Sequence, residues 1–369
     1  LMCGIAGIYR KDGVKVSISD LKRMTDTIKH RGPDTEGHWV SNSGQLGLGH
    51  RRLSIIDLSE GGAQPKSFGK NLTITFNGEI YNYLELRSSL IEKGYSFDTE
   101  SDTEVLLALY DCYGETCLEL IDGMFAFAIW NEEKQELFCA RDRVGEKPFF
   151  YFKDSNRFIF ASELKAIRSI VDSIRIDYGR LQEYIDEGQI RSNTQTFFEE
   201  IKVLPPASKL RLTASNFSIE KYWEIELEEW TNIPDEKTVT QKFQKLFFSS
   251  IERRMRMDVG FGTSLSGGLD SSSIASAICA KTDKPLKTFS ARFNGPLDEG
   301  KWMDQVIKKF NLENLKVYPE FDDVLKKLDL LTYHQEYPIA GSSMFAQWSV
   351  MELVKKSGVK VLIDGQGAD

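Results

Sequence analysis

After an apolar stretch ending at Leu265 the chain reads Ser266-Gly267-Gly268-Leu269-Asp270-Ser271-Ser272, and a helical pattern follows. Glycines at a strand-to-helix turn let backbone N–H groups approach a phosphate, and the helix start adds unpaired donors and the positive end of its dipole. The hydroxyls of Ser266, Ser271 and Ser272 supply further hydrogen bonds. A loop that moves a γ-phosphoryl group carries Gly-Lys-Ser/Thr, and no lysine stands here. The string therefore suits gripping pyrophosphate. Asp270 repels phosphate unless a hard cation lies between them, which implies Mg²⁺. The plain alternative is a Gly-rich turn with a serine cap.

Five cysteines make no disulfide framework, and Cys112 and Cys117 lack a second Cys/His pair at zinc-ligand spacing. Cys112, Cys117, Cys139 and Cys279 lie in apolar patterns and read as small buried hydrophobes. Cys3 is set apart by its place near the amino terminus. His30, His38, His50 and His334 form no metal-ligand pattern.

The elements that must position the serine-glycine string alternate. Residues 238–257 read as helix, 260–265 as strand, 271–281 as helix, 286–293 as strand, 300–310 as helix and 315–318 as strand, with two more helices before a strand at 359–363. Such alternation predicts a parallel sheet with helices on both faces, an α/β Rossmann-like domain. The amino-terminal half differs: 72–76, 124–130, 136–140 and 157–160 read as strands, while 84–93 and 103–113 read as helices, the second capped by Ser101, Asp102 or Thr103. Strands that outnumber helices predict an α+β layered domain. Pro205-Pro206, a β-like 209–212 and the charged aromatic stretch 221–230 read as a domain rim and linker. The division expected is 1–210, a linker at 211–235, and 236–369. Because the chain stops in a Gly-rich turn directly after a strand, the second domain is expected to be incomplete at Asp369.

Composition narrows the setting. The 369 residues include 47 basic and 55 acidic side chains, a net charge of −8, which disfavours a nucleic-acid surface while leaving room for a local anion site. The apolar run at 124–130 is far shorter than the ~18 residues of a membrane span, and no basic region leads into an apolar stretch at the amino terminus. A soluble, cytoplasmic protein without membrane or nucleic-acid partners is expected.

The string at 266–272 resembles the pyrophosphate loop of the AMP-forming ATP pyrophosphatases. The amino-terminal half carries, in order, Met2-Cys3-Gly4-Ile5-Ala6-Gly7, Arg31-Gly32-Pro33-Asp34, Arg52-Leu53-Ser54-Ile55-Ile56-Asp57, Asn77-Gly78-Glu79-Ile80-Tyr81-Asn82, Ser101-Asp102-Thr103-Glu104 and Arg141-Asp142-Arg143-Val144-Gly145-Glu146-Lys147-Pro148. Together these resemble a class II glutamine amidotransferase domain. Joined to the pyrophosphate loop, they resemble the glutamine-hydrolysing asparagine synthetases over nearly the whole chain. The resemblance implies an αββα amino-terminal nucleophile hydrolase sandwich followed by an adenine-nucleotide-binding α/β domain.

In such a hydrolase the amino-terminal thiol attacks the glutamine side-chain amide and its own α-amino group is the base, so no separate histidine is needed. Cys3 fits that role. The resemblance implies an oxyanion hole from the Asn77 side-chain amide and the Gly78 backbone N–H, a fork from Arg52 to the substrate α-carboxylate, and Glu79 and Asp102 at its α-ammonium. Taken singly, Asp102 is also a helix cap, Asn77-Gly78 a β-turn and Arg52 a surface-paired arginine. In the second domain the resemblance implies ATP contacts from Leu265, Ser266, Gly267, Gly268, Asp270, Ser271, Ser272, Ala291, Asp364 and Gly365, and Mg²⁺ shared by Asp270 and Asp369. The implied reaction is ATP + acceptor carboxylate + glutamine + water → AMP + pyrophosphate + acceptor amide + glutamate, through an acyl-adenylate. Ammonia must travel shielded from water, since protonation destroys its nucleophilicity. Met124, Phe125 and Phe127 could line part of the passage, with core packing as their plain alternative.

Two features depart from the family pattern. Leu1 and Met2 precede Cys3, and a peptide bond on its nitrogen removes the free amine, so the active protein is expected to begin at Cys3. Gln366 in Asp364-Gly365-Gln366-Gly367 stands where the family commonly carries the glutamate of Ser-Gly-Glu-Gly, a carboxylate tied to forming the acyl-adenylate. Aspartate is the default acceptor and a sugar uronic acid of a surface polysaccharide the alternative. A non-catalytic glutamine- or nucleotide-binding regulator is the rival from another class, and a homodimer is a family expectation.

Overall fold

The computed structural model describes residues 2–188, 192, 194–226, 235–295, 298–339 and 341–367. The chain divides into two units, Leu1–Leu227 and Glu228–Asp369.

The first unit holds strands β1 (Gly4–Arg10), β2 (Thr35–Val40), β3 (Leu46–Arg52), β4 (Lys66–Phe68), β5 (Leu72–Ile80), β6 (Gly123–Asn131), β7 (Glu136–Arg141), β8 (Phe150–Lys153), β9 (Arg157–Ala161), β10 (Ile201–Val203), β11 (Ser208–Leu212) and β12 (Phe217–Lys221). They form two antiparallel six-stranded sheets, ordered β10-β8-β9-β1-β3-β2 and β12-β11-β7-β6-β5-β4. Helix α1 (Ile18–Thr27) covers the first sheet; α2 (Tyr83–Glu92) and α3 (Asp102–Tyr113) cover the second. The result is the αββα sandwich.

Strand β6 shows why the layers form. Its apolar run has two buried faces: Ala126, Ala128 and Trp130 meet Ile5, Tyr9, Leu46 and Phe158 between the sheets, while Phe125, Phe127 and Ile129 pack with Leu106 and Leu109 of α3. Successive strand residues point to opposite faces, so only a strand covered on both sides reads as continuously apolar. Phe125 and Phe127 therefore belong to the core beneath the helices, the packing role that was their plain alternative.

Strands β1, β2 and β3 lie outside the sequence expectations. Glycine weakens a strand pattern, and β1 and β3 carry Gly4, Gly7, Gly47 and Gly49. Tertiary contact explains these residues: a β-carbon at Gly7 would lie 2.2 Å from the Phe160 ring.

The second unit has a parallel sheet of β13 (Phe261–Ser264), β14 (Lys287–Ala291), β15 (Glu313–Val317) and β16 (Val361–Leu362), ordered β15-β14-β13-β16. Helix Glu236–Arg254 leads into the sheet, and long helices separate its strands, among them Leu269–Cys279, Gly300–Phe310 and Ser342–Lys356. From β13 the chain steps one way to β14 and β15, then returns to place β16 on the other side. The carboxyl ends of β13 and β16 thus flank a topological switch point, the crevice where open α/β sheets bind ligands. Among the described residues no helix is long and apolar enough to cross a membrane.

Gly7→Ala should destabilise the first unit by about 2 kcal/mol, because the new methyl overlaps a fully packed ring. Urea unfolding reads this as a lower midpoint at unchanged slope; an unmoved midpoint would mean that Phe160 yields without cost.

Candidate active site

In the first unit a cavity is lined by Met2, Cys3, Arg52, Asn77, Gly78, Glu79, Asp102, Met124 and Lys147, with Leu53, Gln64 and Thr103 among its other walls. Antiparallel pairing of β1 with β3 sets Gly4 opposite Arg51 and so carries Cys3 to the residue after β3. There the Leu53 N–H donates to Cys3 Sγ at 3.3 Å, and the thiol reaches the Leu53 carbonyl at 3.6 Å. Burial pushes the Cys3 thiol up to about 11; Asp102 adds to the rise, while the Leu53 hydrogen bond, Arg31 and Arg52 oppose it. A thiol so placed needs a base before it attacks.

Asn77 and Gly78 sit inside β5, opposite Ala126 and Phe125, and are not a turn. Both side-chain polar atoms of Asn77 are buried without a hydrogen-bond partner. Such atoms are costly to leave unsatisfied, which marks the amide as reserved for a ligand. Backbone N–H groups alternate sides along a strand. The Phe76 N–H donates to Gln64 Oε1 at 2.7 Å and the Ile80 N–H to Asp102 Oδ2 at 3.0 Å. Gly78 lies between them, so its N–H points to the same side. Phe125 opposite directs its own N–H and C=O to Asp142. The Asn77 amide and the Gly78 N–H are therefore two donors facing the cavity that holds Cys3. A β-carbon at Gly78 would stand 2.2 Å from the Met124 carbonyl oxygen.

Asp102 opens α3 without capping it; Ser101 is the cap, accepting from the Thr103 N–H at 3.2 Å. Burial raises the Asp102 carboxyl to about 6, against the lowering pull of the Ile80 N–H and Arg52. Arg52 is 5% exposed, so it is no surface arginine. It donates to the carbonyls of Ser59 at 2.8 Å and of Asp57, and a β-carbon at Gly62 would strike its guanidinium. Glu79 is buried in the cavity wall.

The remaining strings act as scaffolding. Arg31 donates from Nε to the Cys3 carbonyl at 2.9 Å and from Nη1 to Glu163 at 2.9 Å. Glu163 also takes His30 and Lys165, and its carboxyl is held down at about 2, the His30 hydrogen bond and the charges of Arg31 and Lys165 outweighing burial. The 141–148 string folds around Asp142, whose carboxylate accepts the N–H groups of Phe125, Val144, Glu146 and Lys147. Gln64, Thr103 and Lys147 line the cavity without having been assigned a role in it. Lys147 and Thr103 stood within quoted strings, Thr103 as a cap candidate; Gln64 joins the wall because it bridges Phe76 to the Thr103 hydroxyl, a contact across distant segments.

In the second unit Ser266 and Ser271 hold the loop after β13, their hydroxyls 3.0 Å apart, with the Gly268 N–H donating to Ser266 Oγ at 3.3 Å. Gly267 turns at a φ of 87°. The following helix starts at Leu269 with Gly268 as its cap residue and no side-chain cap, so its first N–H groups are left for a ligand. Asp270 is exposed in that first turn, followed by Ser271 and Ser272. Across the switch point Asp364 accepts from Ser264 Oγ at 2.7 Å, and a β-carbon at Gly365 would lie 3.2 Å from that of Asp270. Leu265 is 1% exposed with its side chain in the core; Ala291 ends β14. Gln366 is exposed and accepts from Gln347. Asp369 lies outside the described residues. Asp270 and its open helix start fit a hard cation paired with phosphate oxygens, one carboxylate of the expected pair being in place.

Residues 2–223 match the glutamine amidotransferase domain family and residues 242–369 the asparagine synthase family. Over its whole length the chain is 36% identical to a putative glutamine-hydrolysing asparagine synthetase of Methanocaldococcus jannaschii, of which it covers 74%. It is 35% identical to two glutamine-hydrolysing asparagine synthetases of Bacillus subtilis, covering 62% and 58% of them. The chain thus spans about three fifths of the length of these last two relatives.

With Met2 in place, alkylation of Cys3 by iodoacetamide should accelerate about tenfold per pH unit from neutrality to about pH 10, as expected for a thiol raised by burial. The modified amino-terminal peptide, followed by mass spectrometry, reports the rate. A plateau near pH 8.5, the range of a free cysteine, would contradict the buried setting.

Proposed function

This chain belongs to the glutamine-hydrolysing asparagine synthetase family, and from that premise we propose that its first unit hydrolyses glutamine and its second activates a carboxylate with ATP to receive the ammonia. The observation that carries the reading is the unpartnered Asn77 amide in the cavity of the Cys3 thiol.

Once the Met2–Cys3 bond is cut, the Cys3 amino group takes the thiol proton while sulfur attacks the side-chain carbonyl of glutamine. Negative charge gathers on the carbonyl oxygen, where Asn77 Nδ2 and the Gly78 N–H are already aimed, so little reorganisation is required. Asp102 and Glu79 meet the substrate ammonium, and Arg52, anchored by the carbonyls of Asp57 and Ser59, presents its charge to the carboxylate. The amine then returns its proton to the departing ammonia, and water releases glutamate from the thioester.

In the second unit the acceptor carboxylate attacks the α-phosphorus of ATP, and the 266–272 loop holds the pyrophosphate. Asp364 and Gly365 border the nucleoside from the opposite side of the switch point. Mg²⁺ held by Asp270, with Asp369, would neutralise phosphate charge. Ammonia then attacks the acyl-adenylate carbonyl, giving an amide and AMP.

Aspartate is the acceptor named by the family's activity. A different carboxylate is the second reading, favoured by one observation: Gln366 is neutral and its carbonyl is engaged by Gln347.

The test is full-length protein beginning at Cys3, supplied with glutamine, Mg-ATP and either aspartate or no acceptor. Asparagine and AMP in equal amounts are expected, and Cys3→Ala should lower glutamine hydrolysis by about a thousandfold. Glutamate release with neither product would move the acceptor to another carboxylate, found by acid-dependent ATP–pyrophosphate exchange; no glutamate release would refute the first half of the proposal.

Asp102 adds a pH dependence. Its carboxyl, raised to about 6, attracts an ammonium only when ionised, so KM for glutamine should climb as pH falls through 6 with less change in kcat. In Asp102→Asn, KM should be high and flat across this range. A wild-type KM independent of pH between about 5 and 7.5 would remove Asp102 from substrate binding.

A further inference from the structure

Lys147 lines the Cys3 cavity and is 4% exposed. Its backbone is fixed from both sides, the N–H donating to Asp142 Oδ2 at 2.9 Å and the carbonyl accepting from Arg141 Nε at 2.7 Å. The side chain is held less conventionally. Nζ donates to Met124 Sδ at 2.7 Å and to Met2 Sδ at 2.9 Å, and among the described residues it makes no ion pair with a carboxylate. Thioether sulfur is a weak acceptor, so two sulfurs compensate poorly for burying an ammonium. Burial lowers the proton affinity of Lys147 and Arg31 lowers it further, while Glu146, Glu79 and Asp142 hold the charge in place.

Met2 is the residue whose loss exposes the Cys3 amine. Its departure takes one sulfur from Lys147 and leaves Nζ and the new amino group on either side of the space that Met2 filled. Two ammonium groups in one buried site repel, and the pair gives up a proton more readily than either would alone. At the thiol, Arg52 from β3 and Arg31 after α1 act in the same direction and Asp102 from α3 acts against it; at Lys147, Glu79 from β5 acts with Glu146 and Asp142 to hold the charge.

We propose, building on the glutaminase reading, that Lys147 is a positioning residue for the base: its charge keeps the Cys3 amino group unprotonated at neutral pH and ready to accept the thiol proton. The sulfur proton passes to the amine as the S–C bond forms and the carbonyl electron pair moves to oxygen. That proton later leaves with ammonia, and Lys147 keeps its own throughout. Met124 is its remaining soft contact in the processed protein.

The experiment uses full-length protein beginning at Cys3, as wild type, Lys147→Met, Lys147→Gln and Lys147→Arg. Two rates are followed against pH: glutamine hydrolysis as kcat/KM, and alkylation of Cys3 by iodoacetamide without glutamine, read on the amino-terminal peptide. In the neutral variants the acid-side fall of both rates should move up by about one pH unit, giving about tenfold loss near pH 6.5 and recovery near pH 9. Lys147→Arg should follow the wild type. Neutral variants with unmoved acid limbs, or with loss that is uniform in pH, overturn the proposal. If Lys147→Met does not fold, Lys147→Gln carries the comparison. Shifted alkylation in a protein that hydrolyses no glutamine would uphold the Lys147 charge effect and refute the glutaminase reading separately.

Discussion

The Leu53 N–H held to the Cys3 sulfur depends on a long-range strand pairing. β1 meets β3 from across the intervening helix and β2, and Leu53 is reached only because Gly4 stands opposite Arg51. A shift of one residue would turn alternate side chains to the other face and carry the sulfur off the cavity. The register is secured by burial of Ile5, Leu46 and Leu48.

Around this pairing, buried charge is used to shape loops. Asp142 gathers four backbone N–H groups, and Glu163 gathers His30, Arg31 and Lys165. Each carboxylate is satisfied by several donors, the condition under which buried ionisation is tolerated. Glu163, held down at about 2, favours the fold above the ordinary glutamate range, and that contribution is lost as pH falls from about 4.5 through 2. The cavity groups differ: Asn77 lacks partners, Asp102 is raised, and Lys147 rests on sulfur. The scaffold carboxylates Asp142 and Glu163 are satisfied by protein donors, whereas the Asn77 amide at the cavity is not.

The second unit uses another device. Parallel strands direct the loops after β13 and β16 to the same end, and reversal of strand order parts them into a crevice. Asp270 and Gly365, far apart in sequence, become neighbours there. Gln366 and Gln347 form a neutral pair beside them, which makes acceptor choice a question about this end of the sheet.

The candidate groups were legible in side-chain type and local order, in the Ser266 to Ser272 string and the nearly amino-terminal Cys3, and β6 was legible as an apolar run. The αββα class came from resemblance. Strands β1 and β3 were not legible, because Gly7 and Gly49 look like strand breakers until Phe160 and Thr25 fill the space above them. Nor could local sequence separate a turn from a strand at Asn77-Gly78, or a capping Asp102 from a cavity Asp102, because the deciding partners are Phe125, Ser101 and Ile80. Sequence by itself determined which functional groups exist and in what local order. Tertiary structure decided which are desolvated, which are already hydrogen-bonded and which are left facing a cavity, because burial and partner geometry are set by residues distant along the chain.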